Sequence, residues 1–177
     1  MGSLLTSLLL SFLFGDWFIN QSKMFFRAKS REYTPENHRA KDDMPTMGGA
    51  FMLAITFISV FLWCNLTKPE VWIFLLCLFL FGAIGFWDDI NKIWYKKGIS
   101  ESHKFKAQII SALIVVLSWV YFLNPSTNLT LPFFKSLSPA LGFIFIFWAV
   151  FIIVGTSNAV NLTDGLDGLA IGSLISN

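Results

Sequence analysis

Apolar residues occupy five long, nearly charge-free runs, at positions 4–19, 47–66, 71–87, 105–122 and 140–154, with short polar connections between them. A helix crossing a bilayer needs about 20 predominantly apolar residues, and these runs approach that length. In hydrocarbon every backbone N–H and C=O must be paired within its own segment, so the runs are predicted to be helices. Strict apolar–polar alternation over about ten residues, the mark of a membrane barrel, is absent. A sixth run begins near Leu166 and reaches the end of the given sequence. The predicted fold class is an all-α integral membrane protein. Positions 1–177 read as a single transmembrane helical domain with five transmembrane helices plus the start of a sixth.

Charge then orients the helices. Lys23, Arg27, Lys29, Arg31, Arg39 and Lys41 lie between the first two runs, and only Lys68 between the second and third. Lys92, Lys96, Lys97, Lys104 and Lys106 follow the third run, and Lys135 alone follows the fourth. Basic residues gather on cytoplasmic loops. This alternation predicts that the first and third connections are cytoplasmic, and counting spans adds the fifth. The N-terminus is then outside, in a multi-pass membrane protein. The first run is not read as a cleaved signal peptide, because no basic residue precedes it and basic residues follow it. The outer connection, TNLTLPFFKS, has room for a short hairpin.

Composition agrees. Only 14% of residues are charged, against about a quarter in soluble domains. With a net charge of +2, nothing calls for a nucleic-acid partner; the partner composition demands is the lipid bilayer. Cys64 and Cys77 read as small apolar packing residues, with no metal-ligand spacing around them.

Three polar segments lie in the predicted cytoplasmic connections. The first carries Lys41 and then Pro45-Thr46-Met47-Gly48-Gly49, leading into the second run. A glycine-bearing helix N-terminus presents N–H groups and a positive dipole end to an anion, and Lys41 and Thr46 add a charge and a hydroxyl. The plain alternative is a turn shaped by Pro and Gly.

The second segment is Gly85-Phe86-Trp87-Asp88-Asp89-Ile90-Asn91-Lys92. Two carboxylates at a helix C-terminus face the negative end of the dipole and need a cation nearby. On a continuing helix Lys92 reaches Asp88. Asp89, turned about 100° away, is then a candidate ligand for Mg²⁺, which takes one or two carboxylates together with substrate phosphates. The alternative is an acidic helix end paired with lysines.

In the third segment Asn158, Asn161, Asp164 and Asp167 recur every third position, with Gly165 and Gly168 inviting a break. Ionisable residues embedded between spans are functional suspects. The twelve-residue loop and closing Glu of a calcium-binding EF-hand are missing.

These segments occur together in an order that resembles one family. Pro45-Thr46-Met47-Gly48-Gly49, Gly85-Phe86-Trp87-Asp88-Asp89, the stretch from Lys92 to Lys104 with Gly98-Ile99-Ser100, and NAVNLTDGLDGLA at 158–170 are similar to the bacterial phospho-N-acetylmuramoyl-pentapeptide transferases (the MraY or translocase I family). That family lies within the polyprenyl-phosphate N-acetylhexosamine-1-phosphate transferase superfamily. The resemblance implies a ten-helix fold, Mg²⁺ as cofactor and a possible homodimer. It also implies transfer of phospho-N-acetylmuramoyl-pentapeptide from UDP-N-acetylmuramoyl-pentapeptide to undecaprenyl phosphate. The products are lipid I and UMP, and the process is peptidoglycan synthesis, with its links to cell shape and division.

Carried over by position, Asp88 is the proposed activator of the lipid phosphate, and Asp89 its partner near metal or diphosphate. Lys41, Thr46, Asn161, Asp164 and Asp167 map to a nucleotide pocket. Lys92, Lys104 and Asn158 are expected in the same cleft as structural or phosphate-facing groups.

Asp43-Met44 departs from the family's usual Gly-Thr and places a negative charge beside the presumed anion site. The resemblance also implies a second half that holds a further metal-binding Asp, a His-rich segment and about half the helices. A polypeptide of these 177 residues alone is therefore expected to be inactive. The rival readings are a non-catalytic membrane remnant, a related transferase of N-acetylglucosamine-1-phosphate to polyprenyl phosphate, and a transporter. A conduit would need polar groups through mid-span rather than at one end.

Overall fold

The computed structural model describes residues 1–25, 47–95, 97–129 and 138–163. Five helices appear among them: α1 Gly2–Phe25, α2 Gly48–Trp63, α3 Pro69–Tyr95, α4 Glu101–Leu123 and α5 Ile144–Thr163. Helices α1, α3, α4 and α5 are long and apolar enough to cross a membrane, and α2 is a shorter apolar helix. No strand is present among the described residues; a lone antiparallel bridge ties Asn128 to Ala140 within the connection expected to hold a hairpin. The chain is an all-α, multi-pass membrane protein. The sixth helix, expected from Leu166, lies outside the described residues.

The helix ends depart from the apolar runs in a consistent way. The third run was expected to end at 87 and the fifth at 154, yet α3 continues to Tyr95 and α5 to Thr163. Hydropathy reports where the helix meets lipid, while backbone hydrogen bonding continues into the polar stretch beyond. Helix α2 does the reverse and stops at Trp63, short of the expected 66. The Asn65 side chain closes a turn there, accepting from the Thr67 N–H at 3.1 Å and the Thr67 hydroxyl at 2.7 Å. Pro69 then opens α3, where its missing N–H costs nothing.

The chain divides into two compact units, Met1–Lys104 and Phe105–Asn177. In the first, α1 and α2 pack through a Phe18–Phe51 stack with centroids 4.8 Å apart, and through the Trp63 indole N–H, which donates to Thr6 Oγ1 at 2.7 Å. Helices α2 and α3 run antiparallel. Phe61 meets Trp72 near their connection, and further on Leu53 lies against Gly82, where an added Cβ would come within 2.4 Å of Leu53 Cδ1. A side chain at 82 would make Leu53 shift.

The second unit is organised around Val116, Phe145 and Ala149, with Trp119, Val120, Val150 and Ile153 packed on them. Phe12, Phe79, Phe143, Phe147 and Phe151 are exposed, an arrangement that suits a lipid surroundings and would be a liability in water.

Candidate functional site

Because α3 continues past its apolar stretch, Asp88, Asp89 and Lys92 fall on one regular helix. Lys92 sits four residues after Asp88, and its Nζ lies 2.8 Å from Asp88 Oδ2. The same ammonium is 3.3 Å from Asp89 Oδ1, so Lys92 serves both carboxylates rather than Asp88 alone. From the start of α4, Lys104 Nζ approaches Asp88 Oδ2 at 3.7 Å. The backbone N–H of Ile99, in the connection between the helices, donates to Asp88 Oδ1 at 2.9 Å.

Asp88 is therefore a buried carboxylate, its side chain 9% exposed, with both oxygens engaged. Burying a carboxylate is unfavourable through desolvation; because α3 continues to Tyr95, about two turns further, the helix-end dipole expected from the apolar run does not bear on Asp88. Two ammonium groups and one N–H offset that. Their attraction is largely cancelled by the desolvation they share, so the main product of the cluster is a fixed geometry.

The connection is shaped to make this contact. At Gly98 an added Cβ would lie 2.7 Å from Asp88 Oδ1 and 3.3 Å from Lys92 Cε, so a side chain there would press on the carboxylate that the backbone approaches. Ser100 then caps α4: its carbonyl accepts from the Lys104 N–H at 3.0 Å and its hydroxyl contacts the His103 ring. Glu101 in the first turn complements the helix dipole. Carboxylate, glycine and cap together set where Lys104 stands.

Asp89 differs from its neighbour. It is 40% exposed and lines a cleft of about 530 Å³ between α2 and α3. The cleft floor is otherwise apolar, with Gly49, Ala50, Leu53 and Phe57 from α2 facing Phe79, Gly82, Ala83 and Phe86 from α3. Met47, at the N-terminus of α2, also lines it.

In the second unit Asn158 and Asn161 lie on α5 itself, not in a connection after residue 154. Asn158 Nδ2 donates to Gln108 Oε1 on α4 at 2.9 Å and to the Val154 carbonyl at 2.9 Å. Asn161 is exposed one turn later. Lys41, Thr46, Asp164 and Asp167 lie outside the described residues.

The structure thus brings together Asp88, Asp89, Lys92 and Lys104 in one unit, and gives Asn158 a partner in the other. Gly98 and Ile99 entered the sequence analysis only as part of the resemblance, without a role, and Gln108 not at all. Ile99 acts through its backbone, which no side-chain pattern reveals. Gly98 works by absence of a side chain. Gln108 did carry a signal, as a polar residue inside an apolar run.

Similarity to known proteins places this arrangement. The profile of Glycosyl transferase family 4 matches residues 71–177, which include both the Asp88 cluster and Asn158. The phospho-N-acetylmuramoyl-pentapeptide-transferase of Aquifex aeolicus is 43% identical over 173 residues, covering 96% of this chain and 48% of that protein. Proteins of the same name from Desulforapulum autotrophicum and Desulfovibrio desulfuricans are 45% and 43% identical, over 97% and 99% of this chain. The chain spans about half the length of these curated relatives. It belongs to Glycosyl transferase family 4.

Proposed function

We propose that this member of Glycosyl transferase family 4 acts in transfer of phospho-N-acetylmuramoyl-pentapeptide from UDP-N-acetylmuramoyl-pentapeptide to undecaprenyl phosphate, yielding lipid I and UMP. The observation that carries the reading is the cluster at the end of α3, where Asp88, Lys92 and Lys104 meet beside the exposed Asp89. One substrate is soluble and the other held in lipid, so their phosphates can meet only where a membrane helix emerges. Both are anionic and repel each other more strongly as the local dielectric falls. A site joining them needs cations fixed in place, and the Asp88 cluster fixes two.

In this reading Lys92 and Lys104 face the phosphates. Asp88, with both oxygens committed, holds Lys104 and the Gly98–Ile99 backbone in position; to act as a base toward the lipid phosphate it would first have to release a partner. An undecaprenyl phosphate near neutral pH needs little deprotonation, so holding the cations is the larger contribution. The basic residues of the connections favour the cytoplasmic face for this part of α3. By the family resemblance, Lys41, Thr46, Asn161, Asp164 and Asp167 are assigned to binding the nucleotide.

The donor set fits Mg²⁺. Among the described residues no three His, Cys, Asp or Glu side chains gather as a closed cage. Asp89 offers one accessible carboxylate, which matches an ion that fills the rest of its shell with water and substrate phosphates. When bound there, Mg²⁺ supplies neutralising charge for the diphosphate as the phosphoryl group transfers.

The deciding experiment follows radiolabelled UDP-N-acetylmuramoyl-pentapeptide into the lipid phase, with undecaprenyl phosphate as acceptor, with and without Mg²⁺. Lipid I formation that requires both the metal and Asp89 is expected. Transfer of N-acetylglucosamine phosphate instead would move the protein to the related branch, and absence of any transfer would overturn the reading.

A further inference from the structure

We infer that Gln108 is a positioning residue that fixes the amide of Asn158 so that its carbonyl oxygen is presented as a hydrogen-bond acceptor. The inference rests on the substrate reading above for what is accepted, and on geometry alone for the orientation.

The orientation follows from a chain of obligations. The Val154 carbonyl is an acceptor only, so the Asn158 atom 2.9 Å from it must be the NH₂ group. That group's other proton points to Gln108, 2.9 Å away, so the Gln108 atom facing it must be the oxygen. Both protons of Asn158 Nδ2 are thereby spent. What remains on Asn158 is Oδ1, and what remains on Gln108 is Nε2. Neither amide can flip without setting N–H against N–H or C=O against C=O.

Placement makes this more than helix adhesion. Gln108 is 3% exposed. It lies seven residues into α4, in a stretch where its neighbours Ser111, Ala112, Val115 and Val116 are also buried. A purely adhesive contact could be made by an apolar pair of similar volume, because lipid-embedded amide bonds contribute little net stability. A carboxamide buried at 108 has a distinct use, which is to dictate the rotamer and flip of Asn158. One turn beyond, α5 carries the exposed Asn161. The acceptor that Asn158 offers suits a hydroxyl or amide N–H, groups that a sugar-peptide donor carries and a polyprenyl chain lacks.

The test uses the intact protein in nanodiscs with ¹⁵N-labelled asparagine, comparing wild type with Gln108→Met and Gln108→Glu. Met removes the acceptor at similar volume, and Glu restores an oxygen. For Gln108→Met the expected results are faster exchange of the Asn158 side-chain protons and a KM for the nucleotide-linked substrate raised about three- to tenfold. Both kcat and the KM for undecaprenyl phosphate should stay near wild type, and Gln108→Glu should recover most of the loss. Unchanged exchange in Gln108→Met overturns the inference. So does a parallel fall of kcat and melting temperature in both variants, which would mark simple adhesion. If wild type shows the protected amide but transfers nothing, the substrate reading fails while the orienting contact stands.

Discussion

Two regions of this molecule bury polar side chains in apolar helices by different means. At the end of α3 a carboxylate, Asp88, is surrounded by two ammonium groups and a backbone N–H. Between α4 and α5 a neutral amide, Gln108, meets another neutral amide, Asn158. The difference tracks access to water. Lys92 is 56% exposed and Lys104 22%, so long side chains can carry their charge outward while their stems stay packed. Gln108 is 3% exposed, and burying a charge there would cost far more than burying a hydrogen-bonded amide. Charge is used where a lysine can reach solvent, and amide pairs where it cannot.

Predictions that press on this contrast can be ordered by size. Replacing Asp88 with Leu removes the carboxylate shared by Lys92, Lys104 and the Ile99 N–H. Transfer should fall at least about hundredfold, as expected when charged groups shift by an ångström, while Asp88→Asn, which keeps an acceptor for Ile99, should lose less. Equal losses in the two variants would mean that the negative charge, not the tether, is what matters.

Gly98→Val comes next. Its side chain must displace Asp88 Oδ1, which lies 2.7 Å from the built Cβ. A destabilisation of about 1–3 kcal/mol is expected from such overpacking, read by thermal melting, with transfer reduced in step. A variant that melts and transfers like wild type would show that the connection does not need to approach Asp88.

Asp89→Asn should leave melting unchanged but raise the Mg²⁺ concentration for half-maximal transfer about tenfold or more. An unaltered Mg²⁺ titration would remove Asp89 from the metal. Because Lys92 faces the phosphates, Lys92→Met should lower transfer, but its effect on melting is the smallest of the set, since an ion pair this exposed contributes only about 0–1 kcal/mol. It should weaken with added salt, whereas the Gln108–Asn158 contact, carrying no charge, should not respond to ionic strength.

Much of this was legible along the chain. Lys92 was expected to reach Asp88 from their spacing of four on a continuing helix, and it does, because helical spacing is a local rule. The reading also expected Asp89 to stand apart from that lysine, but the flexible Lys92 side chain reaches both carboxylates. Helix ends were less legible. Apolar runs mark the lipid-facing lengths, so α3 and α5 were underestimated at their polar ends, where hydrogen bonding continues without hydrophobicity.

The order of residues by itself determined the class of the protein, the number of apolar runs from 4 to 154, and the clustering of charge at one kind of connection. Those depend on hydropathy and on rules that act within a few residues. Tertiary structure alone decided that Ile99 offers its N–H to Asp88, that Gly98 lies against the Asp88 carboxylate, and that Gln108 faces Asn158 fifty positions away. Each of these joins groups from different helices or from a loop folded back on one. Only packing settles which distant donor arrives at which acceptor.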